Sequence, residues 1–375
     1  MKTLYLHIGS PKTGTTSIQC FCYANRDKLM ERGYCYPQFP HPYLRQYSRL
    51  NPRRNGLFLH AKYKNEQGIR DKEEEARIFK EGLQKVQDLF LEYDSIVLSD
   101  EGLWRAVSRG RKSLWRELRQ EAEKGSFIVK VIAYIRKQDE LLESWWNQTI
   151  KHGATKYSAM TWEEYLHVYP KDINLDYYSL LKAAADVLGA ENIVVRRFQP
   201  EFFAGGSLLS DFLHVLGLEL TDEYLISDQY VNTKMSENYC EIKRIINNMP
   251  EVKLEDRWRY EKMLRELSIV SNKEHSNRMF SNEEASDFMK KYEESNRKLY
   301  QTFLADGQPL FLEKENVAEK WRKENSYMLT DLVRFIVIAN LSREREESEH
   351  LRNQNHGIRR WIVRFIKKCG ASLTG

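Results

Sequence analysis

A glycine-punctuated turn near the start of the chain carries residues that suit phosphate binding. In the stretch LHIGSPKTGTTSIQ, residues 6–19, Gly9 and Gly14 bracket Lys12, and hydroxyl residues follow. A short apolar run precedes the turn and a helix pattern follows, so the first N–H groups of that helix would point at an anion. The candidate phosphate-binding residues are Lys12, Thr13, Gly14, Thr15, Thr16 and Ser17.

The position of the lysine distinguishes this turn from a nucleoside-triphosphate loop. In that loop the lysine directly follows the second glycine, whereas Lys12 precedes Gly14 by two residues. A kinase-like loop would also need a Ser or Thr beside that lysine to hold Mg²⁺. The turn therefore predicts a cradle for one phosphate and the group attached to it, neutralised without a metal ion.

Polar and charged side chains follow two further predicted strands. The apolar segment SIVLSDE ends in Asp100 and Glu101, and FIVKVIAYIR ends in Arg136, with Ser144 eight residues later. Because ligands bind outside the carboxyl ends of the strands in an open parallel sheet, we expect these residues to converge on the Lys12 turn.

The elements that must position these residues alternate along the chain. Strands are predicted at residues 3–8, in SIVLSDE, in FIVKVIAYIR and in NIVVRRF, and helix patterns separate them, the first running from about Thr15 to Arg32. Residues 34–60 read as irregular, and from about residue 207 nearly everything reads as helix. This order predicts an α/β fold, with a P-loop-type parallel β-sheet flanked by helices and a largely helical C-terminal region.

Composition excludes several function classes. Of the 375 residues 41% are hydrophobic, and the net charge of +5 suits an anionic ligand but is too weak to indicate nucleic acid. Five cysteines, an odd number, favour a reducing compartment. No apolar stretch reaches the 18 residues of a membrane span, and we recognise no signal peptide, so we expect a cytoplasmic protein.

The motifs resemble those of a known family. PKTGTTS resembles the 5′-phosphosulfate loop of sulfotransferases, which use 3′-phosphoadenosine 5′-phosphosulfate (PAPS), and the spacing of Arg136 and Ser144 is similar to the family's 3′-phosphate pair. An ordered series from HIGSPKTGTTSIQ to YEESNRKL is similar to landmarks of bacterial sulfotransferase-like proteins, which are often associated with surface or secreted glycans. The resemblance covers about residues 3–312, and it predicts a sulfotransferase domain at 1–312 and a helical extension at 313–375.

One departure from the family bears on the acceptor. The R-K-G element that small-molecule sulfotransferases use as a further 3′-phosphate contact is missing, which leaves Arg196 and Arg197 as guesses for that contact and disfavours steroid or phenol acceptors. The resemblance implies PAPS as donor, no metal requirement, and a glycan or glycolipid hydroxyl as acceptor. It also implies an in-line displacement in which Lys12 stabilises charge on the leaving 5′-phosphate.

The sequence leaves alternatives for the general base and for the surface that binds the acceptor. Glu101 is the first candidate for the base, because the resemblance places a glutamate after the second strand, while His60 and Asp100 are alternatives. The segment 34–60 is rich in Tyr and Arg and is a candidate acceptor lid, and Trp104 could offer a flat face to a sugar.

Two rival functions remain from the residues alone. SIVLSDE also suits a strand that ends in a Mg²⁺-binding acid, as in a P-loop nucleotide kinase or NTPase, although the displaced lysine disfavours this. The other rival is an inactive protein that only binds a nucleotide.

The C-terminal segment IRRWIVRFIKK, residues 358–368, predicts a basic amphipathic helix. Its apolar residues recur at helical spacing, and its polar residues are all cationic. Such a helix suits an anionic membrane surface, which would hold the enzyme peripherally at the inner membrane face, near a lipid-linked glycan. The alternative is a terminal helix that packs on the body of the protein.

Overall fold

The centre of the fold is a buried parallel sheet. The computed structural model describes residues 1–39, 53–168, 174–226, 234–274, 277–313 and 319–345. The strands are β1 (Thr3–Gly9), β2 (Tyr34–Cys35), β3 (Ser95–Ser99), β4 (Ile128–Ile135) and β5 (Ile193–Arg197). Every residue of β1 is buried, as expected for a central strand that is covered on both faces.

The strand order brings the predicted strand ends to one edge. The order is β2-β3-β1-β4-β5, and all the pairings are parallel. β1 pairs with β3 from Thr3 opposite Ser95 to His7 opposite Ser99, and β4 lies on its other side. The chain therefore reverses its direction of travel across the sheet beside β1, and a crevice at such a switch point is the usual ligand site of an open α/β sheet.

Helices account for most of the remaining described residues. They are α1 (Thr15–Ala24), α2 (Arg26–Glu31), α3 (Lys72–Leu89), α4 (Gly102–Ser108), α5 (Ser113–Gly125), α6 (Gln138–His152), α7 (Trp162–Val168), α8 (Tyr177–Leu188), α9 (Leu208–Val215), α10 (Glu237–Asn247), α11 (Leu254–Glu274), α12 (Asn282–Lys290) and α13 (Glu293–Phe303). Residues 328–345 are also helical. The predicted class, a parallel sheet flanked by helices with a helical C-terminal region, is confirmed.

The structure differs from the sequence predictions in two elements. Tyr34–Cys35 forms the edge strand β2, although the segment 34–60 was predicted to be irregular. The helix predicted from Thr15 to Arg32 is interrupted at Asn25, whose side chain bonds both to the carbonyl and to the N–H of Leu225. An Asn side chain that binds backbone in this way competes with helix continuation, so α1 and α2 are separate.

The described residues fall into two compact units. The first is drawn from Met1–Trp145, Glu164–Asn232 and Phe280–Val317, and the second from Trp146–Glu163, Thr233–Met279 and Ala318–Gly375. The first unit contains the sheet, whereas the second consists largely of helices. The sulfotransferase domain at 1–312 and the helical extension at 313–375 stay predictions. No helix within the described ranges is long and apolar enough to cross a bilayer.

Candidate active site

The turn after β1 has a backbone that few residues adopt. Gly9 and Gly14 have φ of 84° and 74°, and Lys12 has φ of 65°, which is unusual for a residue with a side chain. Two hydrogen bonds hold the turn: Ser10 N–H donates to the Tyr134 carbonyl at 2.8 Å, and Thr13 Oγ1 donates to the Ser10 carbonyl at 2.6 Å. Strain of this kind persists where the surroundings impose it, and it is common at ligand sites.

The amide groups of this turn form a cradle. In the described part of the chain, the backbone N–H groups of residues 13–17 donate to no acceptor, and the first turn of α1 contains no acidic residue. The hydroxyls of Ser10 and Thr15 are buried and also lack a partner among the described residues. Unpaired amides and hydroxyls at the positive end of a helix suit a bound anion.

Gly14 is required by its surroundings as well as by its φ. A Cβ at this position would lie 2.2 Å from Leu208 Cδ2 and 3.2 Å from Phe198 Cε2. Leu208 begins α9 and Phe198 directly follows β5. Packing from these two elements therefore fixes the path of the cradle.

Glu101 lies beside this cradle, at the start of α4. A Cβ on Gly9 would be 3.4 Å from Glu101 Cβ. Burial raises the pKa of the Glu101 carboxyl above its ordinary value, and the Asp100 charge adds to the rise, although Arg54, Lys12 and Arg105 oppose it. Among the described residues the Glu101 carboxylate accepts no hydrogen bond. A carboxylate with a raised pKa and an open oxygen is suited to taking a proton.

Asp100, by contrast, accepts hydrogen bonds on both carboxylate oxygens. It is buried, and it accepts hydrogen bonds from Arg54 Nε at 3.1 Å, Arg54 Nη2 at 2.6 Å and Gly102 N–H at 2.7 Å. His60 Nε2 lies 3.1 Å from the same carboxylate. Burial alone would raise the pKa of Asp100, but His60 and Arg54 outweigh it and lower this pKa to about 2. Both oxygens of Asp100 thus accept from protein donors, and the carboxylate acts as a structural anion.

The segment 53–60 is tied to the end of β3. Asn55 accepts from Ser99 N–H at 2.8 Å and donates to the Val97 carbonyl at 2.9 Å. Gly102 approaches His60 so closely that a Cβ there would lie 2.4 Å from His60 Cε1. These contacts bring Arg54 and His60 to the site. Arg54 was predicted only as one of the arginines of the candidate acceptor lid, whereas it pairs with Asp100, and Asn55 was missed, because no periodic pattern places this stretch next to a strand.

Arg136 lies at the end of β4, as predicted, and its guanidinium is held in one orientation. Its Nε donates to Glu140 at 3.2 Å, and its Cζ lies 6.0 Å from the centre of the Phe198 ring. Within the described residues its Nη groups donate to no acceptor. Glu140 and Ser144 lie one turn apart on the same face of α6. The fork of the guanidinium is thus oriented and open, which suits a phosphate.

Phe198 connects the cradle to Arg136. Its ring lies close to Gly14 and also close to the Arg136 guanidinium. The Phe198 N–H donates to the Ile135 carbonyl at 2.7 Å, which fixes the ring at the carboxyl edge of the sheet. Its place directly after the apolar run of β5 was the only sequence signal for this residue.

Other proposed residues are not presented to a ligand. Arg196 pairs with the buried Asp211, and Arg197 donates to Asp306 at 2.7 and 2.8 Å, so carboxylates of the chain hold both guanidinium groups. Trp104 is 0% exposed, so it cannot offer a face to a sugar, and that expectation was wrong.

The described part of the 34–60 segment packs inward. Tyr36 and Phe39 are buried, and Tyr36 OH donates to the Arg53 carbonyl at 2.6 Å. The remainder of the predicted lid, including Tyr43, Arg45, Tyr47 and Arg49, lies outside the described residues. The segment 358–368 also lies outside them.

Comparisons with known proteins give limited matches. A scan against protein-family models found no match. An uncharacterized protein of Archaeoglobus fulgidus is 27% identical over 205 residues, which are 53% of this chain and 52% of that protein, so the match spans about half the length of this relative. A crystal structure of a sulfotransferase from Alicyclobacillus acidocaldarius matches 62% of this chain and 86% of its own, with 16% identity and a TM-score of 0.34. Similarity this distant establishes no activity for this chain.

Proposed function

We propose that the chain is a sulfotransferase that moves a sulfuryl group from PAPS to a hydroxyl of a carbohydrate. The observation that carries the proposal is that Phe198 lies close to two groups that suit anions. One is the cradle, with Lys12 and the N–H groups of 13–17 that have no acceptor among the described residues, and the other is the Arg136 guanidinium. A nucleotide with phosphate groups at both its 5′ and 3′ positions has two anions to match them. Ser144, on the same helix face as Glu140, would add a hydroxyl at the 3′ site.

The reaction is an in-line displacement at sulfur. The acceptor oxygen forms a bond to sulfur while the bond from sulfur to the bridging phosphate oxygen breaks, and the electron pair stays on the 5′-phosphate. Lys12 and the cradle amides stabilise the charge that grows there. Glu101 takes the proton of the acceptor hydroxyl, and the raised pKa of Glu101 matches the carboxyl to this role.

The state of Asp100 supports Glu101 over Asp100 as the base. The Asp100 oxygens already accept bonds from Arg54 and Gly102, and its pKa is lowered to about 2, so it would be a weak base. His60 stays a candidate, because its Nε2 lies against Asp100 while its other ring nitrogen could face an acceptor.

The same contacts disfavour a metal-dependent kinase. The acid that would hold Mg²⁺ in a kinase-like site is Asp100, and its oxygens are taken by protein donors. The lysine, moreover, stands before Gly14 rather than after it. A donor whose leaving phosphate is neutralised by Lys12 and the backbone amides fits this arrangement better.

A carbohydrate acceptor is favoured by the groups around Glu101. Arg105 lies one helical turn beyond Glu101, and its guanidinium lies 5.7 Å from the ring of Trp145. A partly exposed indole with an adjacent cation suits a sugar ring that carries polar or anionic substituents. We therefore propose a glycan, free or lipid-linked, as the acceptor class.

Transfer of label from [³⁵S]PAPS to a panel of oligosaccharides, glycolipids and small phenols tests this proposal. We expect label on a saccharide in the presence of EDTA, and much less label with Lys12→Ala. Label on phenols alone would overturn the acceptor class. Tight binding of the donor nucleotide with no transfer to any member of the panel would favour an inactive binding protein.

A further inference from the structure

Two helices, α8 and α13, contact the turn between β4 and α6, which carries Arg136. The turn comprises residues 136–138, of which Gln138 is the first residue of α6. Tyr177 begins α8, and Asn296 lies near the start of α13. The turn and both helices belong to the first unit. Residues that are far apart in the sequence therefore hold the segment that presents Arg136.

Tyr177 holds the backbone of Arg136. The Tyr177 hydroxyl donates to the Arg136 carbonyl at 2.7 Å, and Tyr177 is 0% exposed. Its ring packs edge-on against Trp104 of α4, with ring centres 5.7 Å apart. Because close packing fixes the ring, the hydroxyl holds the Arg136 carbonyl in one position.

Asn296 holds the first residue of α6. Its Oδ1 accepts from Gln138 Nε2 at 2.6 Å, and its Nδ2 donates to Gln138 Oε1 at 3.2 Å. Gln138 is 0% exposed, and its Nε2 also donates to the Leu175 carbonyl at 3.3 Å. Two amides that bond in both directions fix the orientation of each other. The start of α6 is therefore held by α13 and by the segment that leads into α8.

The position of α6 in turn determines the surroundings of the Arg136 guanidinium. Glu140, two residues after Gln138, accepts from Arg136 Nε at 3.2 Å. Ser144 follows one turn later on the same face of α6. A rotation of the start of this helix would move Glu140 and Ser144 relative to the carbonyl that Tyr177 holds. The turn thus places both the Arg136 fork and the Ser144 hydroxyl.

We propose that Tyr177 and Asn296 are positioning residues for the 3′-phosphate of the donor, and that they act through Arg136. This inference rests on the proposed function, because it takes Arg136 as the group that binds this phosphate. Neither residue needs to touch the nucleotide. Together they hold the guanidinium in one orientation before the nucleotide binds, which reduces the ordering that binding must impose.

A role in stability alone predicts a different result. Once a variant is folded, such a role leaves the affinity for both nucleotides unchanged, whereas loss of position weakens only the nucleotide that Arg136 contacts. The informative quantity is the Kd of adenosine 5′-phosphate divided by the Kd of adenosine 3′,5′-bisphosphate. In the proposed site the cradle at Lys12 binds the 5′-phosphate of both nucleotides, and Arg136 contributes only to the bisphosphate.

Calorimetric titration of the full chain with both nucleotides measures this ratio. Tyr177→Phe removes one hydroxyl, and Asn296→Ala removes the amide that bonds to Gln138. The matched controls are Tyr178→Phe and Gln301→Ala, at more exposed positions of the same two helices. We expect each variant to lower the ratio about three- to tenfold at unchanged affinity for adenosine 5′-phosphate, and each control to keep the wild-type ratio.

A double-mutant cycle shows whether the two residues act through Arg136. In the Arg136→Ala chain, Tyr177→Phe and Asn296→Ala should leave the ratio unchanged. Equal reductions of the ratio with and without Arg136 overturn the proposal. A wild-type ratio in either folded variant overturns the role of that residue, and if one variant does not fold, the other decides. A wild type that binds both nucleotides equally overturns the proposed function and this inference with it, whereas discrimination that both variants retain overturns the inference alone.

Discussion

Replacing Asp100 with Asn should destabilise the first unit by an amount that can be worked from its contacts. The carboxylate is buried and bonded to Arg54, His60 and the Gly102 N–H. Its pKa, lowered from 3.8 to about 2, corresponds to about 2–3 kcal/mol of folding free energy. Breaking a buried ion pair typically costs about 3–5 kcal/mol. Because the Arg54 side chain is 21% exposed and can regain water, we expect a loss of about 2–3 kcal/mol at neutral pH.

The stability difference between wild type and Asp100→Asn should depend on pH in a defined direction. A carboxyl whose pKa is lower in the folded state stabilises the fold fully above its unfolded pKa, and that stabilisation is lost as the pH falls through the folded value. The free-energy difference between wild type and Asp100→Asn should therefore be constant above about pH 5 and shrink between pH 3.8 and about 2.

Urea unfolding followed by tryptophan fluorescence measures both quantities, since Trp104 and Trp115 are buried in the same unit. Asp27→Asn is the matched control, because among the described residues the Asp27 side chain forms only an exposed ion pair with Arg26 at 3.7 Å, whose loss should lower stability little. A variant Asp100→Asn as stable as wild type at neutral pH would refute the structural role assigned to this carboxylate. A difference that stays constant down to pH 2 would refute its electrostatic origin.

Three further predictions concern the cradle and the base. Lys12→Ala should lower turnover by at least about a hundredfold under saturating donor, measured by release of adenosine 3′,5′-bisphosphate, because one preorganised donor to the leaving phosphate is lost. Glu101→Gln should abolish the rising limb of the pH–rate profile, which in wild type lies above the ordinary glutamate pKa of 4.5. His60→Ala should retain that limb. The reverse pattern would make His60 the base. Gly14→Ala should lower the free energy of unfolding by about 1–3 kcal/mol because of its φ of 74°, and by a further amount because its Cβ would clash with Leu208. Leu208→Ala should relieve this clash in a double-mutant cycle, and additive effects of the two substitutions would contradict the contact.

The sheet can be predicted from the sequence because its signals are local. The β-branched runs of β1, β3, β4 and β5 stand out from the helix patterns between them, and glycines at 33, 153 and 189 follow helices, as is common at helix C-termini. Lys12, Glu101 and Arg136 were placed at strand ends by the same reading. Because parallel strands share a carboxyl edge, the sequence also predicted that these residues would meet.

What the sequence could not supply depends on tertiary contacts. The strand β2 has only two residues, and it is defined by its pairing with Ser95 and Ile96 rather than by its own pattern. Whether Asp100 or Glu101 faces the crevice depends on the path of the segment 53–60, which brings Arg54 and His60 to Asp100. In the same way, the burial of Trp104 follows from packing against Tyr177, with ring centres 5.7 Å apart, a contact that no spacing in the sequence reveals.

Calorimetric titration with adenosine nucleotides in the presence of EDTA tests the central claim most directly. The claim is that one nucleotide spans the cradle at Lys12 and the guanidinium of Arg136. We predict that adenosine 3′,5′-bisphosphate binds at least about tenfold more tightly than adenosine 5′-phosphate, and that Arg136→Ala removes this difference while leaving the affinity for the 5′-phosphate unchanged. Equal affinities for the two nucleotides in the wild type, or tight binding of ATP with Mg²⁺ and none of the bisphosphate, would contradict the account.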